Sequence, residues 1–528
     1  MISKTSNALL LLFLATLSVG CSKNDGGNGA PNGDTSEMTS SDATSSTDGS
    51  TTQIDPVGDR GPGRVLDVPA ARQTQDLNLR ISTENSGDVV ARGQGYQTEV
   101  FELDFEFESQ DLWGETWRHK SSLFIPHELS DAGKNGAFVI VPAGTKNPVD
   151  KVSQPNVFRN NYAGIVAATM GIPAMVVANV PGAVDLKQAP DNWQGKGPAK
   201  CFASGLPSSR YTPCLLEILR QTNDAQADPF RHIAFAWMRS VTAVFEAARE
   251  ANQKQWPDMA PAKFQPKNGL ILADGELAVG ARMAAAVDIR IDGVFGNADF
   301  AKMARLLDRM NKRWNRDFGW FEKPGKFRQW LGSSAGKAWK KTVDPAAWPQ
   351  LLEGMSFVNA RGTNDPRFPL DAAALIGDVF PNETRRVTAP SYAAGIGSLD
   401  HLQGWYGFIA HVHFQKPWSR LSIDATQMQS NVHVEASAAG GATVNGVVVN
   451  WLQQHRDTDD GDFRDTVWQG QMLTETRAGW AGDVAPIVTN HAVYVRAENS
   501  VEVPTVLDEP KTWEIKPRWS SGFVLFGD

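Results

Sequence analysis

Short apolar runs bounded by turn-forming residues recur between Thr98 and Ala393, with helix-length segments between several of them. "TEVFELDFEFES" alternates as a half-buried strand does, and "ETWRHKSSLFIP" reads as a second strand. "GAFVIVP", "PAMVVANVP", "NGLILA", "IDGVFGN", "GMSFVNARG" and "RRVTAPSYA" are further short runs of buried-strand character. "FRHIAFAWMRSVTAVFEAAREANQ" has helical spacing and follows Pro229, a residue suited to a helix's first turn. This alternation predicts an α/β fold, a doubly wound and mostly parallel sheet, over residues 96–416.

Two segments depart from that pattern. Residues 299–350 contain no strand signal and are basic and rich in Trp and Phe, in a protein whose net charge is −8. They read as a helical insertion, a lid over one end of the sheet. It is either a pocket roof favouring an anionic or sugar-like ligand or a solvated amphipathic helix pair. Residues 417–528 are β-rich with closely spaced turns, which predicts a C-terminal all-β, sandwich-like domain.

The N-terminus, "MISKTSNALLLLFLATLSVGC", has the layout of a signal peptide over residues 1–21. Its end, "LSVGC", resembles a bacterial lipobox, which implies lipidation of Cys21. An ordinary cleaved signal peptide is the alternative. Ser22 to about Pro62 has almost no large apolar residue and cannot offset its chain entropy, so a disordered polar linker is expected, extending to residue 95. Together these features predict an exported bacterial lipoprotein, held to the outer membrane and either periplasmic or surface-exposed. Its expected partner is the membrane, through the lipid on Cys21. The remaining cysteines, Cys201 and Cys214, flank a loop; outside the cytoplasm a disulfide is the expected state. The negative net charge gives no reason to expect nucleic acid, and no cofactor or metal is expected.

The stretch "LILADGELAVGARMAAAVD" reads as a buried strand, a tight turn and an alanine-rich helix, and the turn contains no hydroxyl. The order of motifs around it resembles the PhoPQ-activated pathogenicity-related protein family, an exported α/β-hydrolase-fold group. The elements are "TWRHKSSLFIP", "FVIVPAGTKN", "AAAVDIRIDGVF", "KTVDPAAWPQLLEGMSFVNARGTNDPRFP", "GSLDHLQG" and "DGDFRDTVW". The turn also looks like that of glucuronoyl esterases. The resemblance implies that Asp365 is the triad acid and His401 the base, in the elbow–acid–histidine order of α/β hydrolases. It also implies that the backbone of Glu276, with Gly144 and Thr145, forms the oxyanion hole.

Aligning the helix puts Gly275 at the nucleophile position, where the family has Ser followed by a basic residue. Glycine relieves the strain of such a turn and discards the hydroxyl. A carboxylate at Glu276 would oppose a developing oxyanion by up to ~4 kcal/mol at about 4 Å. Three readings follow. The first is a hydrolase fold without triad catalysis, acting as a binding or structural lipoprotein. The second is an ester or carbohydrate-ester hydrolase in which Glu276, framed by Asp274 and Ala278, works with Asp365 and His401. The third is hydrolysis elsewhere, for instance at Ser208 or Ser209. A small-molecule or carbohydrate-ester ligand is expected beneath the insertion. Trp117 and His119 share one strand face, with His119 read as structural, and Asp462, Arg464 and Trp468 read as an ion pair with aromatic packing.

Overall fold

The computed structural model describes residues 61–526 except 94–95, 144–157, 183, 185, 203–207, 257–260, 298–299, 315–320, 322, 366–367, 371, 378, 380–383, 393–394, 455–466, 486–490, 508–511 and 522. The apolar runs become eight strands: β1 (Tyr96–Leu112), β2 (Glu115–Ile125), β3 (Ala137–Pro142), β4 (Ala174–Val177), β5 (Asn268–Asp274), β6 (Ile291–Asn297), β7 (Ser356–Gly362) and β8 (Thr384–Ala389). Their order in the sheet is β1-β2-β4-β3-β5-β6-β7-β8. β2 runs antiparallel to both neighbours, and every pair from β4 to β8 is parallel. A single strand exchange, with one antiparallel strand near the edge, is the α/β-hydrolase order.

The sheet separates two cores, and the strand period of two decides which residue joins which. In β5, Ile271 and Ala273 belong to one core and Leu270 and Leu272 to the other. The first core takes in α2 (Ser208–Thr222), α3 (Pro229–Gln253) and α4 (Glu276–Ala285). The second takes in α1 (Ile165–Met170) and α8 (Leu399–His413). β3 is buried along its whole length, which explains why its sequence shows no alternation.

The insertion folds as α5 (Met303–Trp314), α6 (Pro324–Trp330) and α7 (Ser334–Val343), without a strand among its described residues. It is neither a solvated helix pair nor a loose flap. Phe327, Trp330 and Trp339 are buried and pack on one another, with ring centroids 5.1 to 5.7 Å apart. Trp330 also donates its indole N–H to Asn223 Oδ1 at 2.7 Å, tying the insertion to the end of α2.

Two regions are built differently from the sequence expectation. The linker does not extend to residue 95: helical turns begin at Gly61, and strand Gly87–Gly93 pairs with β1, Val89 opposite Val100. Leu66, Ala71 and Leu77 are buried there, enough apolar surface to order a stretch that is otherwise polar. The C-terminal strands also divide among three sheets, the smallest pairing Val501–Pro504 with Thr512–Ile515. Arg518–Ser520 pairs antiparallel with β8 and carries the main sheet on through His491–Glu498 and Gly446–Gln454 to Val467–Met472. A separate sheet holds Arg420–Met428, Asn431–Ala439, Gly479–Val484 and Thr474–Thr476. The main sheet therefore runs across the boundary expected at residue 417.

Cys201 and Cys214 form the expected disulfide, with Cα atoms 5.7 Å apart. No helix among the described residues is long and apolar enough to cross a membrane. Cys21, with residues 1–60, lies outside the described residues.

Candidate active site

The turn between β5 and α4 is sharp because one residue adopts a conformation that side chains resist. Gly275 has φ 58° and ψ −125° and stands at the N-terminus of α4. Its N–H donates to the Asn297 carbonyl at 3.0 Å, fastening the turn to the end of β6. Its carbonyl accepts from Ala278 and Val279 at 3.0 and 3.3 Å and starts the helix. The alanine-rich sequence of α4 follows from close packing. A Cβ on Gly280 would lie 2.5 Å from Ile233 Cγ2 of α3, and one on Gly296 would lie 2.8 Å from Ala278 Cβ.

This turn opens at the C-terminal ends of the parallel strands, where open α/β sheets place their sites. Around it stand Asp274 and Glu276, both half-buried, Asn297, and the buried Asp365, which follows β7. Asp365 Oδ2 accepts from Asn297 Nδ2 at 2.5 Å. Asn297 therefore links the turn, through its carbonyl, to the acid, through its side chain.

His401 lies in the first turn of α8, whose N-terminus is capped by Ser398 through the His401 N–H at 3.1 Å. Its ring is fully buried and stands edge-on to Tyr392, centroids 5.4 Å apart. Nε2 lies 2.9 Å from the Arg361 carbonyl oxygen, and Nδ1 has no hydrogen-bond partner among the described residues. A carbonyl can only accept, so the single N–H of the neutral ring is committed to Arg361, and Nδ1 is left as an acceptor. Burial, the largest influence, holds the pKa below the ordinary histidine value. The bond to Arg361 and the carboxylates of Asp400, Asp274 and Asp365 only partly oppose this. The ring is thus neutral at pH 7, and it has no ring N–H left to give Asp365.

The geometry brings Gly275, Asp365 and His401 to one end of the sheet, but it does not join acid and base by a hydrogen bond. Gly144 and Thr145 lie outside the described residues, as do Asp462 and Arg464. Ser208 and Ser209 open α2, away from this strand end in sequence. His119 is structural: buried, it meets the Ala178 carbonyl at 2.9 Å and Ser109 Oγ at 2.8 Å, and burial pushes its pKa down to about 4. Trp117 is buried two residues away on the same face. Trp468 packs against Tyr494 and Phe523 as an aromatic contact.

Sequence reasoning missed Asn297 and Arg361. The guanidinium of Arg361 is buried and donates to the Phe368 carbonyl at 2.9 Å, spanning the loop that contains Asp365. The available signal was a polar residue inside or ending an apolar run, "FGN" and "VNARG", beside a candidate elbow.

No protein-family model matches this chain, and no curated protein matches it. Solved structures similar to it include a glucuronoyl esterase from Solibacter usitatus, 13% identical, with a TM-score of 0.36, covering 69% of this chain and 93% of that one. An acetyl xylan esterase from Paenibacillus sp. R4 is 9% identical, with a TM-score of 0.36, over 62% of this chain and 86% of that one. A CE15 glucuronoyl esterase from Teredinibacter turnerae T7901 is 12% identical, with a TM-score of 0.35, over 66% and 81%. The chain is distantly similar in structure to α/β-hydrolase esterases. At these values the likeness carries nothing about chemistry.

Proposed function

We propose that this chain is an exported, membrane-tethered α/β-hydrolase-fold protein resembling the PhoPQ-activated pathogenicity-related proteins, that it lacks serine-triad catalysis, and that it acts as a binding or structural protein. The observation that carries this reading is Gly275, which holds the strained elbow conformation with no side chain to attack a substrate. The His401 ring supports it, since its N–H is spent on the Arg361 carbonyl. Removing the nucleophile of a serine triad costs about a million-fold in turnover. The purified exported protein is therefore expected to show only background hydrolysis of chromogenic acyl esters, unchanged by Asp365→Asn or His401→Ala. Gly275→Ser with Glu276→Lys rebuilds the family pattern and is the gain-of-function test. Robust wild-type activity abolished by both Glu276→Gln and His401→Ala would replace this reading with the glutamate-dependent hydrolase.

The tether and the ligand belong to the same proposal. The mature protein is expected to carry lipid on Cys21 and to partition with membranes, facing the periplasm or the cell surface. Cys21→Ala is expected to release it or block processing. A wholly soluble wild-type protein with an unmodified N-terminus would refute this. A small-molecule or carbohydrate-ester ligand beneath α5–α7 is the matching expectation for the elbow end of the sheet.

A further inference from the structure

Charge is distributed unevenly along the chain. Residues 299–350 hold twelve Lys and Arg against five Asp and Glu, in a protein whose net charge is −8. Packing then sorts those charges. Phe327, Trp330 and Trp339 are buried, whereas Arg305 of α5, Lys326 of α6, and Lys337 and Lys341 of α7 are exposed. None of these four cationic side chains has a hydrogen-bond or ion-pair partner among the described residues. The carboxylates among the insertion's described residues are Asp308 and Asp344, and both are engaged. Asp308 pairs with Arg328 at 2.8 Å, and the buried Asp344 accepts from the Lys302 and Met303 N–H groups at the start of α5. Lys337 and Lys341 stand one turn apart on one helix face, where like charges repel. A face that is unfavourable to the fold, and left unpaired by a chain with acids to spare, suits an anionic partner.

The second observation is where the chain enters the fold. Gly61 is buried against the end of the insertion: a Cβ on it would lie 2.8 Å from Trp348 Cγ and 2.9 Å from Leu351 Cδ1. The turn Gly61–Arg64 packs along α7. The chain leading from Cys21 therefore reaches the folded body beside the basic helices.

We propose that the outer face of α5–α7 docks on the surface of an anionic lipid bilayer, the one to which the chain is tethered. This rests on the tethered reading above and adds an orientation to it: the anchor brings the protein to the membrane, and the lysines turn the insertion toward it. Each Lys or Arg near an anionic lipid surface strengthens binding by about fivefold, so four such groups act on the order of several hundredfold. That suffices to hold one orientation once the tether makes the contact intramolecular. The contact is electrostatic, because among the described residues the exposed large apolar side chains all lie outside 299–350. Salt should therefore release it.

The test is amine footprinting of the full lipidated protein, held in vesicles of phosphatidylcholine alone or mixed with phosphatidylglycerol. Acetylation of Lys326, Lys337 and Lys341, read by mass spectrometry, is expected to fall about threefold or more in the anionic vesicles. It should recover at about 1 M salt, where the Debye length is ~3 Å. Lys134 and Lys267, exposed just before β3 and β5, should not change. Lys337→Glu with Lys341→Glu alters only exposed positions, and is expected to abolish protection of Lys326 while the anchored protein stays on the vesicles. Equal acetylation in both lipid mixtures would overturn the proposal. So would protection by soluble polygalacturonate with none by anionic vesicles, which would assign the face to an acidic polysaccharide. A wild-type protein that does not stay on phosphatidylcholine vesicles would refute the tether alone. The same footprint, taken with anionic vesicles added to that free protein, then decides the docking face: salt-sensitive protection supports it, and equal acetylation overturns it.

Discussion

Replacing Gly275 with Ser tests the elbow geometry through stability, independently of any activity. Gly275 occupies the N-terminal cap of α4, where serine is ordinarily among the best residues and improves on glycine by a few tenths of a kcal/mol. Its φ of 58° and ψ of −125°, however, lie where a Cβ is strained, at a cost of order 1–3 kcal/mol. The strain exceeds the capping gain, so Gly275→Ser is expected to lower the unfolding free energy by about 1–3 kcal/mol, and Gly275→Ala by a similar amount. Urea titration of the three proteins at one pH measures this, with a common m-value required for the comparison. The sign of the change is decisive. A Gly275→Ser protein as stable as the wild type, or more so, would show that the residue caps an ordinary helix, and the elbow argument would fall.

Three further outcomes follow from buried groups and the cross-link. Asp228, which caps α3 by accepting from the Phe230 N–H at 3.1 Å, has its pKa pushed up to about 6 by burial; its contribution is thus present at low pH and lost as pH rises through 6. Asp228→Asn keeps an acceptor at the cap, and is expected to stabilise the protein at pH 7 by roughly 1–3 kcal/mol and to do nothing below about pH 4. Burial holds His119 and His413 near pKa 4 and His232 near 3, below the unfolded value, so their stabilisation is complete above pH 6.5 and is lost as pH falls toward 4. Each is expected to remove up to about 1.4 kcal/mol per pH unit in that window, with Asp228 and Asp292 acting in the opposite sense, and stability that only rises in urea titrations from pH 7 to 4 would show that these rings are not buried. Opening the Cys201–Cys214 bridge, which spans 13 residues, is expected to cost about 3 kcal/mol on the chain-entropy model, and two freely alkylatable thiols in the native exported protein would refute the bond.

β3, β4 and β5 are legible because burial on both faces leaves an apolar run, and β1 and β2 because they alternate as half-buried strands do. The same holds for the strand–turn–helix at Gly275, where small residues pile up for a packing reason: Gly280 lies against Ile233 and Gly296 against Ala278. Pairing partners were not legible. Arg518–Ser520 is only three residues long, and nothing in it announces that it will pair with β8 and carry the sheet onward. Residues 61–93 resemble a linker in sequence because three widely spaced apolar side chains, at Leu66, Ala71 and Leu77, give no periodic signal. At the candidate site, residue types and order were readable, but orientation was not. That Nε2 of His401 meets a backbone carbonyl depends on how α8 seats against β7, a tertiary fact with no trace in "SLDHLQG".

That seating also bears on why an acid and a histidine persist beside an elbow that has no nucleophile. If they no longer work chemically, they should hold the structure, and their contacts say how. Asp365 is bonded to Asn297, whose carbonyl holds the Gly275 N–H, so the acid supports the turn at one remove. His401 fills a fully buried space against Tyr392 and satisfies the Arg361 carbonyl. Removing it with His401→Ala would delete that buried hydrogen bond, worth about 0.5–1.5 kcal/mol, and empty the space beside it. A loss of about 2–4 kcal/mol in unfolding free energy is therefore expected. Catalytic residues behave in the opposite way, because active sites are commonly held at a cost in stability, and removing a working group tends to be neutral or stabilising. Paired urea titrations and ester-hydrolysis assays on His401→Ala separate the two cases. A protein at least as stable as wild type with a lost activity would mark His401 as a working base; a destabilised protein with an unchanged background rate would mark it as part of the scaffold.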